Sequence, residues 1–166
     1  MMRVYLPATL ADVQRLLADD AWMPLGGTGF ALTPALREAY VAGDDEELAE
    51  IALRDAARGS LRLLAAQDAD DLPVRRVVVV AERTDATPRP DLDDAVVRIA
   101  GPVTTDQVVA VHVDSGDAER AVIAAADVID AADLGDEDAE LTLGDAEDHD
   151  LAWYATQELP FLLELL

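Results

Sequence analysis

The stretch Pro73-Val74-Arg75-Arg76-Val77-Val78-Val79-Val80-Ala81 decides how this chain reads. Four successive valines leave no polar alternate position, and β-branched side chains favour the pleated backbone. A half-exposed strand alternates apolar and polar residues, so an unbroken run of this kind predicts a central strand covered on both faces. Such a strand needs helices layered on its sheet. The expected fold is therefore α/β in the broad sense (α+β), a single domain over residues 1–166 with helices packed on a mixed sheet.

Upstream of the valines, residues 46–66 place Leu48, Ile51, Ala52, Leu53, Ala57, Leu61 and Leu64 at helical spacing, with Asp44 or Asp45 as cap. On the same helix Glu46, Glu50, Arg54, Arg58 and Arg62 recur every four residues as one stripe. That stripe is either solvated or set against acidic groups, of a partner or of the protein itself. Thr33 and Pro34 open a shorter helix ending near Gly43. Residues 3–6 alternate as a strand, and Thr9 with Asp12 three positions later forms a capping box for a helix to about Asp19. The glycines at Gly26-Gly27-Thr28-Gly29 precede no helix and have no lysine beside them, so they read as a turn rather than a phosphate loop.

Downstream, residues 96–100 and 107–113 are further strands separated by Gly101-Pro102, and residues 115–132 form a helix with Ala121, Val122, Ala125, Val128 and Ile129 on its apolar side. Residues 133–150 read as an acidic loop. Residues 151–155 are a weak last strand, and the apolar C-terminal segment 151–166 ends the chain. This order of elements suits a ferredoxin-like split β-α-β arrangement with additions, or another mixed α/β sandwich.

Composition limits the function classes. Thirty-five acids face twelve basic residues, all arginine, for a net charge of −23 in 166 residues. Phosphate backbones and anionic lipid need a positive footprint, so direct nucleic-acid binding and membrane association are not expected. Without cysteine there are no disulfides, thiolate metal sites or cysteine nucleophiles. No basic, apolar leader and no run of about 18 apolar residues is present, which suggests a cytoplasmic protein. The charge is uneven: residues 67–166 hold twenty-five of the acids and only six arginines.

Several residues are candidates for function. Asp136, Asp138, Glu140 and Glu147, with Leu143 among them, match positions of a calcium loop whose alternate carboxylates wrap a hard cation. Leu141 stands where that loop needs glycine, so a divalent cation is an alternative to a plain solvated loop, and no other cofactor is expected. His112, at a strand end with Asp114 two residues on and Arg76 or Arg98 on neighbouring strands, is the one material for a general base or small-ligand site, and otherwise a structural histidine. His149 lies among acids, and only Ser60 and Ser115 are serines, so no nucleophilic triad is apparent. Trp153, Tyr154 and Phe161 cluster in a leucine-rich end next to Asp145, Glu147 and Asp148. That end either closes the core or meets an unidentified protein partner, a homodimer included. The leading expectation is a non-enzymatic macromolecular interaction protein with an acidic surface; the alternatives are a nucleic-acid mimic and an enzyme or ligand site around His112.

The opening Met2-Arg3-Val4-Tyr5-Leu6-Pro7-Ala8-Thr9-Leu10, the middle Phe30-Ala31-Leu32-Thr33-Pro34-Ala35-Leu36-Arg37-Glu38 and the end from Gly144 through His149 and Trp153 to Leu163 resemble a family of small acidic actinobacterial proteins, a domain of unknown function. The resemblance spans nearly the whole chain. It implies one cytoplasmic domain from a high-GC bacterium and carries no activity or site residue.

Overall fold

A computed structural model describes residues 1–40 and 42–166. Met2–Ala8 forms β1, and Leu10–Asp19 forms α1 from the expected capping box, in which Thr9 and Asp12 each accept the other's backbone N–H. Strands β2 (Ala21–Trp22) and β3 (Thr28–Phe30) follow, then α2 (Pro34–Ala39), capped by Thr33, and the long α3 (Asp45–Ala66), capped by Asp44. The helix expected to reach Gly43 stops at Ala39 because Tyr40 is already extended; residue 41 lies outside the described residues. The valines form β4 (Val77–Arg83). The remainder is β5 (Thr87–Pro88), β6 (Val96–Arg98), β7 (Val103–Thr104), β8 (Val108–Val113), α4 (Glu119–Asp133), α5 (Glu137–Glu147), β9 (Ala152–Tyr154) and α6 (Leu159–Glu164).

Among the described residues seven strands form one sheet in the order β5-β6-β3-β1-β4-β8-β9, and β2 pairs with β7 apart from it. Each neighbouring pair is antiparallel rather than mixed in direction. Across β1, however, β3 and β4 run parallel, so β3, α2, α3 and β4 make one split β-α-β unit. Among the described residues the second such unit of a ferredoxin-like fold is missing: β8 is followed by two helices, after which the chain returns to β8's own neighbour β9 and pairs with it antiparallel. The result is a single α+β domain. Among the described residues no helix is long and apolar enough to cross a membrane.

Side chains of β4 divide between the faces as the valine run demands. Val77, Val79 and Ala81 join Val4 and Leu6 under α1, Trp22 and α6, while Val78 and Val80 meet Ala56 and Ala57 of α3. Two small residues let α3 lie close. A Cβ on Gly59 would sit 2.6 Å from Cγ of Pro7, and the fully buried Ser60 hydroxyl donates to the Ala8 carbonyl at 2.7 Å while accepting Val77 N–H at 3.0 Å.

The acidic segment 133–150 is not a loop. Its middle is α5, packed on α4 and α3 through Ala139, Leu143 and Ala146, which recur at helical spacing and are buried. Gly135, at φ +94, closes α4 with Gly135 N–H bonded to the Ala132 carbonyl and Asp136 N–H to the Ala131 carbonyl. Asp136 then caps α5 by accepting Ala139 N–H at 2.9 Å. The apolar end closes the core, with Leu159 and Leu162 buried on the α1 face.

Candidate functional site

Beside α3, the sheet face running from β1 to β9 is left partly open as a cleft. Its outer part, about 1000 Å³, lies against Met2, Tyr5, Leu32 and the first turns of α3; its inner part, about 300 Å³, lies among α3, β8, β9 and the end of α5. Glu50, Leu53 and His112 line both parts. The volumes fall in the range of about 300–1000 Å³ typical of ligand pockets.

A bulge aims His112 into this cleft. Val80 pairs with Ala110 and Ala81 with Val108, so Val109 is an extra residue in β8. Unbroken alternation along β8 would put Val108 on the face of His112; the bulge turns it to the face of Val111 and Val113, whereas Ala110 and His112 face α3. Trp153 of β9 lies directly opposite His112 and is 59 % exposed, although the other tryptophan, Trp22, is buried.

Ion pairing leaves the cleft acidic. Arg3 is taken up by Glu82, Arg37 by Asp45, Arg58 by Asp133 and Glu140, and Arg76 by Asp114. Of the charged residues lining the two parts, Glu46, Glu47, Glu50, Glu147 and Asp150 form no salt bridge among the described residues, and neither does Arg54. Five carboxylates against one guanidinium thus set the local field. Burial pushes the His112 imidazole below its ordinary value, only partly opposed by Glu50, so near neutral pH it adds no positive charge. Burial also raises the Tyr5 phenol, with Arg3 opposing and Glu50 reinforcing the shift.

The structure brings some of the candidate residues together and separates others. Asp114 does not serve His112. It is buried in a two-pronged pair with Arg76, Nε to Oδ2 at 2.9 Å and Nη2 to Oδ1 at 2.7 Å, and it also accepts Arg76 N–H. Arg98, on β6, is separated from β8 by three strands, about 19 Å at the usual strand spacing. The calcium-loop register is replaced by a helix: Asp136 is its cap and Asp138, Glu140 and Glu147 lie along it, so the carboxylates cannot wrap an ion, and no group of three or more potential ligands is gathered among the described residues. Trp153 and Glu147 line the inner cleft. Tyr154 instead packs on the α1 face, Phe161 is exposed on α6 on that same side, and Asp145 and Asp148 lie outside the cleft lining.

The stripe on α3 proves to be divided. Arg62 Nε meets Asp133 at 2.7 Å and Arg58 Nη2 meets Glu140 at 2.8 Å, so its far end clamps the protein's own α4–α5 hairpin. Hydrogen bonding from Arg62 holds the Asp133 carboxyl below the usual range. Its near end, Glu50 and Arg54, stays in the cleft.

The model for a family of unknown function (DUF6912) matches residues 2–163. The chain belongs to that family. No curated protein and no solved structure matches it. The match covers the β1 strand, α3 and the β9 segment alike, so every residue of the cleft lining except Met1 falls within it. Tyr5 and Asp150 were not singled out by sequence reasoning, which placed Glu50 only in the charged stripe of α3 and Leu53 only on its apolar face.

Proposed function

We propose that this protein is a non-enzymatic binding protein that holds a basic, partly apolar segment of another cytoplasmic protein in the cleft along α3. The observation that carries the reading is the excess of carboxylates that form no salt bridge among the described residues, over an apolar floor that includes the exposed Trp153. A cationic segment supplies the missing charges, and its apolar residues cover Tyr5, Leu53 and Trp153. A second copy of this chain is a poor occupant, since it brings another −23 of charge. Binding rather than acid–base catalysis is supported by His112, whose side chain has no hydrogen-bond partner among the described residues, and by the commitment of Asp114 to Arg76.

The test is titration of the full chain with an eight-residue alternating leucine–arginine peptide and with its leucine–glutamate counterpart, read by tryptophan fluorescence and calorimetry. Saturable binding of the basic peptide is expected, weakened several-fold at about 0.5 M salt, where the Debye length shrinks to a few ångströms. Equal binding of both peptides, or of neither, would overturn the reading.

A further inference from the structure

We infer that the inner part of the cleft is an arginine pocket, which receives one arginine side chain of the bound segment between Trp153 and α3. The inference rests on the cleft reading above and adds to it the identity of the anchoring residue.

The pocket offers the three contacts that a guanidinium with its aliphatic stem requires. The first is a flat aromatic surface. Trp153 and His112 are direct cross-strand partners, which places their Cβ atoms about 4.5–5.5 Å apart and both rings on the face toward α3. The exposed indole is free to stack against a planar cation. The second is an apolar wall for the stem, supplied by Leu53 and Ala57 of α3. The third is a set of acceptors at the rim, Glu50, Glu147 and Asp150, none of them in a salt bridge among the described residues. At about 300 Å³ the space suits one long side chain rather than a folded element. His112, kept neutral by its burial, does not repel a cation.

Arginine fits this combination better than lysine. Its guanidinium is planar, weakly hydrated and able to stack on an indole while forking toward carboxylates, whereas the lysine ammonium is a compact, strongly hydrated point charge. Arg54, exposed at the edge of the pocket, is among the described residues the one arginine of the lining outside any salt bridge, and it competes for the same acceptors.

The experiment compares the leucine–arginine peptide with leucine–lysine and leucine–citrulline versions on the full chain, using calorimetry. The arginine peptide should bind at least tenfold more tightly than the lysine peptide, and the citrulline peptide should lose binding. Trp153→Leu should abolish the preference of arginine over lysine, while Arg54→Ala should tighten arginine binding several-fold. Circular dichroism confirms that both variants are folded, which their exposed positions favour. If arginine and lysine peptides bind equally, the arginine pocket is refuted while the acidic cleft stands. If the preference survives Trp153→Leu, the anchor lies elsewhere. If no peptide binds, both readings fail.

Discussion

Asp114→Ala leaves the Arg76 guanidinium charged and buried with its main partner gone. In the native protein the Arg76 side chain is 3 % exposed and that of Asp114 is fully enclosed, so water cannot replace the lost carboxylate. Four hydrogen bonds meet there: three join Arg76 to Asp114, one of them from the backbone N–H, and the fourth runs from Arg76 Nη2 to the His149 carbonyl at 2.9 Å. Removing one partner of such a pair costs about 3–5 kcal/mol. At roughly 2–4 °C per kcal/mol for a domain of this size, the melting temperature should fall by about 10 °C. Urea denaturation followed by far-ultraviolet circular dichroism measures the loss directly. The double variant Arg76→Met, Asp114→Leu removes the stranded charge but still orphans the Arg76 amide, at about 1–3 kcal/mol. It should therefore be more stable than Asp114→Ala and less stable than the native protein. A loss below about 1 kcal/mol for Asp114→Ala, or a double variant no better than the single one, would refute the reasoning.

Three further outcomes follow from the packing and the titrating groups. Gly59→Ala places a methyl 2.6 Å from the Pro7 ring. Overpacking of about 1–3 kcal/mol should exceed the roughly 1 kcal/mol gain in helix propensity, so a more stable variant in urea would count against the close approach of α3 to β1. Ser60→Ala strands the Val77 amide under the helix and should cost about 1–3 kcal/mol by the same assay, whereas a neutral result would mean that α3 does not hold the strand ends. His112 is lowered by burial, so as pH falls below its ordinary value of 6.5 the unfolded chain takes up a proton before the folded one. Native stability should decline from that point downward, and His112→Gln should flatten the decline between about pH 6.5 and 5.5; identical slopes in the two proteins would exclude His112 as its source.

The parts of the fold that depend on local chemistry are legible in the sequence. Thr9 with Asp12, Thr33 with Pro34, and Asp44 each announce a helix start that the structure contains. Val77 to Val80 announce the doubly covered strand. The acidic segment misleads because its charge masks a weak apolar period of Ala139, Leu143 and Ala146, although Gly135-Asp136 carried a stop signal followed directly by a cap. The face of Val108 was hidden for another reason: a bulge is a property of pairing, visible only once β4 and β8 are in register. The same holds for the cleft. Glu50 looks like one member of a solvated stripe until the hairpin of α4 and α5 takes Arg58 and Arg62 and leaves it unmatched.

The central place of β1 has a consequence for synthesis. Met2 lies opposite Arg83, and Ala8 opposite Val77, so the strand leaves the ribosome long before one of its two neighbours exists. During that interval Val4 and Leu6 have no sheet to enter, and pairing across so long a stretch of chain is intrinsically slow. A nascent polypeptide in this state is prone to stick to its like. Charge does little to hold such unfinished copies apart, because residues 1–66 carry ten acids against six arginines and most of the negative charge is made only after the valine strand.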